Sequence, residues 1–460
     1  MNRFPQLLLS LAMLPATALA QPATPPAAAP APEPAASPAA APLPADIAEQ
    51  IKRANVVPPL LALGQRFNAE GNWALYEATM KRVSELRPHA GNIRLELAAA
   101  YAMQDNKPAG YDTLLGLRDQ GWGFAIESDE RLKNLHGTEV WTFLVDGFKA
   151  NRETQGSGSV AYTLPAGDLL VEALAWDPAR KQLLAGSVRT GEVSLVGDGG
   201  VLTPLVKPDA TNGLWGVFEL AADPARDRLY VASAAIPHVK HAKGEDYGRA
   251  GVWTFELSSG KYLARAVLPR DGLNRLITGL VVAPDGNVYA ADGQARQIFK
   301  LDGDTLRPLL DNPRLTSIRG LALSADGERL YFSDYELGLF GIELSTGRPF
   351  DVKVHKAVSL FGIESLYWHE GNLVAVQNGL RPTRIARLVL TPDGTGVTAA
   401  QPIDVAQRAF GQPTRGAIGG KLLYVIANSQ KGGYTGLGVP RDASKLERIR
   451  IWRSPLDAAP

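Results

Sequence analysis

The chain has 460 residues, 48 Lys+Arg against 47 Asp+Glu, no cysteine, 46 glycines and 33 prolines. The balanced charge gives no clustered basic footprint, so no nucleic-acid partner is expected. Without cysteine there is no thiol nucleophile, thiolate metal site or disulfide, and the length suffices for a packed core and more than one structural unit.

Residues 1–20 combine Arg3, an apolar run from Leu7 to Leu14 and the small-x-small ending Ala18-Leu19-Ala20. This predicts a cleavable secretory signal cut after Ala20, and so a periplasmic or secreted protein. The apolar run is too short to span a bilayer and no later stretch is long enough, so the mature chain is expected to carry no integral membrane segment. Residues 21–45 hold 11 Ala and 9 Pro and read as a disordered linker biased to polyproline II.

Residues 46–150 show helical periodicity. Trp73, Tyr76, Met80 and Val83 recur at three- and four-residue spacing, as do Ile93, Leu97, Ala100 and Tyr101. The turn sequences Ala69-Glu-Gly-Asn72 and Met103-Gln-Asp-Asn106 stand 34 residues apart. That period resembles the tetratricopeptide repeat, which predicts a small helical, TPR-like interaction module, with a plain bundle as the alternative.

Across residues 157–455 an apolar strand, a tight Asp/Gly/Pro turn and a second strand recur six times. The copies begin at Glu172, Phe218, Thr278, Arg319, Glu364 and Arg415, with spacings of 46, 60, 41, 45 and 51 residues. Four-stranded propeller blades recur at about this period, so the prediction is a mainly β fold, a six-bladed β-propeller behind the helical module. The longest gap leaves room for a loop at residues 236–246, and Ser159–Leu164 with Arg448–Trp452 are the segments expected to close the ring of blades.

Innermost strands line a propeller's channel, so the six copy-initial residues are expected to form one ring: Glu172, Phe218, Thr278, Arg319, Glu364 and Arg415. Charges starting buried strands need pairing, ligation or water. Two readings follow: a pocket mouth, with Glu172 and Glu364 as candidate catalytic carboxylates and Thr278, Arg319, Arg415 and Phe218 as binding residues, or ion pairs that seal the channel.

Glu172-Ala-Leu-Ala-Trp-Asp177, Thr278-Gly-Leu-Val-Val-Ala-Pro-Asp-Gly286, Arg319-Gly-Leu-Ala-Leu-Ser-Ala-Asp-Gly327 and Gln412-Pro-Thr-Arg-Gly416 resemble the regucalcin and gluconolactonase family (the senescence-marker-protein, gluconolactonase and luciferin-regenerating-enzyme group). The resemblance implies a six-bladed propeller that binds a divalent metal at the channel and hydrolyses sugar lactones. Its first-blade glutamate ligand falls on Glu172 and its fifth-blade aspartate on Glu364, whereas its two expected asparagines fall on Thr278 and Arg319. Calcium takes six to eight oxygen ligands and arginine supplies none, so Arg319 disfavours a calcium site, and no cofactor is expected with assurance. A lactonase-like hydrolase and a non-catalytic envelope scaffold with a protein or glycan partner both remain open.

His238 and His241, with Glu245 and Asp246, have metal-like spacing in a loop better read as exposed. His369 is expected in an exposed hairpin turn, and His355 has no identifiable partner. Asp292, Asp334 and Asn378 close second strands and read as turn residues before channel residues. The segment Gly432–Gly438 reads as a flexible loop able to cover one face.

Overall fold

The computed structural model describes residues 45–457. The expected leader and all but Ala45 of the Ala/Pro-rich linker lie outside the described residues. Six helices come first: α1 (Ala45–Arg53), α2 (Val57–Ala69), α3 (Trp73–Leu86), α4 (Gly91–Met103), α5 (Lys107–Asp119) and α6 (Glu139–Arg152). The two turns that stand 34 residues apart do the same work. Asn72 and Asn106 end them as N-caps of α3 and α5, their side-chain oxygens accepting from Leu75 N (3.2 Å) and Ala109 N (3.4 Å). Helix pairs α2/α3 and α4/α5 therefore repeat one local design and pack in sequence through α3 and α4. No helix among the described residues is long and apolar enough to cross a membrane.

The rest is the expected six-bladed propeller. The innermost strands are Val171–Asp177, Gly216–Asp223, Ile277–Val282, Ile318–Leu323, Ile363–His369 and Gly416–Gly419, and each contacts the next around a closed ring. Blades 1 to 5 are built from consecutive strands, and blade 5 adds the short parallel edge Lys353–Val354. Blade 6 is completed by strands from both ends of the domain, with Ser159–Thr163 paired antiparallel to Arg450–Pro455. These are the two segments expected to close it. The apolar faces meet between blades, giving one shared core for each neighbouring pair. The second strands are accordingly buried almost continuously, as in Arg228–Ala234 and Val288–Asp292, because both of their faces are covered by neighbouring blades.

The helical module docks on blades 4 and 5. Arg87 Nε lies 2.5 Å from Glu336 Oε2, Gln120 Nε2 donates to Lys356 O (2.9 Å) and Gly123 N to Arg381 O (2.7 Å). Trp122, fully buried, sets its ring 6.0 Å from that of Phe361. Arg384 is buried in this seam and reaches Gln377 Oε1 (2.7 Å) and Gln120 O (3.2 Å). These loops precede inner strands or follow second strands, so the module occupies the face of the disc where inner strands begin.

Candidate functional site

The ring has a structural cause. In blades 1 to 5 the pairing of innermost and second strands slips at the copy-initial residue, between Val171 and Ala173, Val217 and Glu219, Ile277 and Gly279, Ile318 and Leu321, and Ile363 and Ser365. Glu172, Phe218, Thr278, Arg319 and Glu364 are therefore bulge residues, released from the ladder at the mouth of the channel. Bulges re-aim side chains in this way.

Four of the six expected residues converge. Arg415, buried, lies with Nε 3.3 Å from Glu219 Oε2 and Nη2 3.6 Å from Glu364 Oε1, and its Nη1 donates to the carbonyls of Glu364 (2.5 Å) and Arg319 (3.3 Å). Arg319 Nη1 approaches the same Glu364 oxygen at 3.8 Å. Glu172 pairs with neither arginine and accepts from the Ser429 hydroxyl. The other two turn into the packing: Thr278 donates to Ile318 O (2.8 Å), and Phe218 lies against the apolar clusters beside it.

Glu219 is the residue that the ring assignment missed. It follows Phe218, and its equivalents in the other blades are Ala173, Gly279, Gly320, Ser365 and Gly416. Those positions are small because backbones crowd there: a Cβ at Gly320 would stand 2.6 Å from Leu366 N, and one at Gly416 2.2 Å from Tyr424 O. One glutamate among five small residues was the available signal.

Burial and charge set the protonation of this layer. Burial pushes Glu219 up to about 7, against the opposing pull of Arg415. It raises Glu172 as well, against the Ser429 hydrogen bond and Lys431. Burial also acts on Glu364, but Arg319 and Arg415 outweigh it and hold that carboxyl below its ordinary value. For Arg415 burial opposes the charge, and Glu219 and Glu364 outweigh it and raise its pKa. Burial thus makes Glu219 and Glu172 easier to protonate than ordinary carboxyls, while Glu364 is held as the ionised partner of the arginines.

Loops complete the mouth. The Arg319 guanidinium lies over the Tyr335 ring at 5.5 Å, with its Nε buried and without a hydrogen-bond partner among the described residues. Tyr335 OH donates to Asn378 Oδ1 (2.9 Å), Asn378 Nδ2 donates to Pro413 O (2.9 Å), and burial pushes the phenol up to about 12. Tyr335 also packs on Phe361 at 5.8 Å, so an aromatic path runs from Arg319 through Tyr335 and Phe361 to Trp122 of the helical module. From the other side the last-blade loop brings Ser429 to Glu172 and Lys431 near both Glu172 and Glu364. That loop is tied down through Tyr434 OH to Asp168 Oδ1 (2.7 Å) and through Gly438 O to Arg189 (2.8 Å). Beyond the Arg415 layer the channel widens into a cavity of about 390 Å³, lined by the innermost strands.

The remaining candidates sort by their partners. Asp292 accepts from Leu276 N, Gln294 N and Ala295 N, and Asp334 from Thr316, Ser317, Glu336 and Leu337, so both organise turns. Asn378 belongs to the mouth. His241 Nε2 faces Leu214 O (2.8 Å), and Asp246 pairs with Arg249 (2.9 Å). His238 contributes its carbonyl to Arg189 (2.5 Å), and His355 Nδ1 accepts from Ala357 N (3.3 Å). His369 corrects the expectation of exposure: its side chain is only 10% exposed, because the end of the chain folds over it at Asp457. Among the described residues, the group of three that could gather around a metal is His369, Glu370 and Asp457, away from the ring. The channel carboxylates do not fit calcium, since Arg415 lies between Glu219 and Glu364 and supplies the positive charge itself.

No family model and no curated protein matches the chain. Solved structures do, at the level of fold. The chain is similar to a PQQ-bound aldose sugar dehydrogenase of Streptomyces coelicolor, with 19% identity over 66% of this chain and 99% of that one and a TM-score of 0.41. A gluconolactonase of Xanthomonas campestris gives 16% identity, 67% and 92% coverage and a TM-score of 0.42. A luciferin-regenerating enzyme gives 15%, 65% and 95%, and 0.41.

Proposed function

We propose that this is an exported propeller that binds a small anionic molecule at the ring mouth, with Arg319 as the recognition group and no metal at the channel. The observation that supports it is the contrast between the two ring arginines. Arg415 is committed to two carboxylates and two carbonyls, whereas Arg319 has one ion pair at 3.8 Å, an unpartnered Nε and a stacking surface on Tyr335. A planar guanidinium with free donors beside a lysine suits a carboxylate, and sugar acids combine that group with hydroxyls for Asn378 and Ser429. Isothermal titration with a panel of aldonic and uronic acids against the matching neutral sugars tests this reading. Binding of the acids that disappears in Arg319→Gln is the expected result, and equal response to neutral sugars overturns it.

A second reading rests on Glu172, which stands at the mouth with a raised pKa and no guanidinium partner. A carboxylate so placed suits a general base in metal-free lactone hydrolysis. Glu364 does not, since two arginines hold it ionised as an acceptor. Lactone turnover lost in Glu172→Gln, retained in Glu364→Gln and indifferent to chelator distinguishes hydrolysis from binding alone.

A further inference from the structure

The face opposite the ring carries a group of side chains that neither reading uses. The innermost strand of blade 5 ends at His369, and the turn into Asn372 is the two-residue loop Glu370-Gly371, with φ of +45° and +77°. Two positive φ values identify a tight hairpin turn that matches the strand twist and presents the Glu370 carboxylate beside the histidine. The last strand of blade 6 ends at Pro455 and delivers Asp457 to the same place. His369 Nε2 lies 3.6 Å from Asp457 Oδ1 and 3.9 Å from Glu370 Oε2, and the three ligand atoms lie within 4.8 Å of one another.

What points to a ligand is the histidine. Its side chain is nine-tenths buried, and Nε2 has no hydrogen-bond partner among the described residues although two carboxylates face it. Both contacts are too long for hydrogen bonds, and they are near the separation of two ligands on one metal. Four-coordinate zinc with bonds of about 2.0–2.1 Å places neighbouring ligand atoms roughly 3.3 Å apart, so the two histidine contacts need to close by about half an ångström, and the two carboxylates, within 4.8 Å of each other, swing in by rotation of exposed side chains. Imidazole with two carboxylates suits zinc better than calcium or magnesium, which prefer oxygen alone. Lys421 Nζ sits 2.5 Å from the other Asp457 oxygen, which holds that carboxylate ionised and leaves Oδ1 toward the histidine.

We propose that His369, Glu370 and Asp457 form a zinc-class divalent metal site that clamps the segment after the closing strand of blade 6 onto the blade 5 hairpin, with the fourth position open to water. The test uses untagged full chain, stripped with chelator and titrated with zinc chloride alone. One saturable equivalent is expected, together with a rise in Tm with zinc, because a ligand of the native state stabilises by mass action. Cobalt(II) in place of zinc is expected to give the visible bands of a low-symmetry, low-coordinate site. Binding is expected to be lost in His369→Gln and in Asp457→Asn, the latter at an exposed terminal position where folding is safe, and to be retained in Glu172→Gln on the far face. No saturable zinc binding, or binding that survives both ligand variants, overturns the proposal.

Discussion

Glu219 Oε2 lies 3.3 Å from Arg415 Nε across the channel, and this pair separates the mouth from the cavity behind it. Its position explains why the ring is closed at the centre yet leaves Arg319 free at the rim. Arg415, in blade 6, ties blades 2, 4 and 5 together by joining the Glu219 carboxylate, the Glu364 carboxylate and the backbone carbonyls of Glu364 and Arg319.

Arg415→Met should therefore cost about 3–5 kcal/mol of stability, because it leaves buried carboxylates without their counter-charge. Urea unfolding measures it. The double variant Arg415→Met/Glu219→Gln should recover part of that loss, and strict additivity of the two single effects would count against a shared layer.

Glu219 makes stability depend on pH in a definite direction. Its folded pKa near 7 lies above the ordinary carboxylate value of 4.5. The folded state then binds the proton more tightly than the unfolded chain, so the contribution is full below the unfolded pKa and is lost as pH rises through about 7. The full span corresponds to about 3 kcal/mol. Glu219→Gln should remove this slope, so the variant gains on the wild type between about pH 5 and about pH 8. Chemical denaturation of both proteins at those two pH values checks it, and a wild-type curve no steeper than the variant's sinks the assignment.

How much of this was readable beforehand depended on whether a residue's role repeats. The blades announce themselves because each one must supply the same apolar strand and turn, and the copy-initial ring was legible because the bulge falls at the same place in five blades. Glu219 was legible in principle as the one large residue among small ones, but anchoring on Phe218 hid it by a single position. Tyr335, Ser429 and Lys431 left no such mark, since they come from three loops that share no period and meet only through closure of the ring. The docking face of the helical module was equally silent, because Trp122 and Phe361 each look like ordinary core residues until the two units are brought together.

That docking gives a third prediction. Gly91 opens α4 directly under Trp122, and a Cβ there would stand 2.1 Å from the indole Cε2. Helix propensity favours alanine by up to about 1 kcal/mol, but the rigid buried ring has nowhere to retreat without losing Phe361. Gly91→Ala should thus destabilise by about 1–3 kcal/mol and raise hydrogen exchange at Gly123, whose N–H crosses the seam to Arg381 O. Pairing it with Trp122→Leu, which empties the clash, should give less than the sum of the two losses.

The last prediction concerns closure. A propeller without cysteine has no disulfide to hold its ends, and strand pairing in blade 6 is reinforced by a buried carboxylate from blade 5. Asp404 accepts from Gly158 N (3.1 Å) ahead of the first strand, and from Trp452 Nε1 (2.9 Å) and Ser454 Oγ (2.5 Å) on the last. One side chain thus grips both ends of the domain, and it is fully buried. Asp404→Ala strands these donors, each worth about 1–3 kcal/mol when left unsatisfied, so a loss of several kcal/mol is expected. Because the donors belong to the closing blade, amide exchange should accelerate first at Ser159–Thr163 and Arg450–Pro455 while the strands of blade 3 keep their protection. Uniform acceleration around the ring would instead mean that Asp404 supports the whole disc and not its clasp.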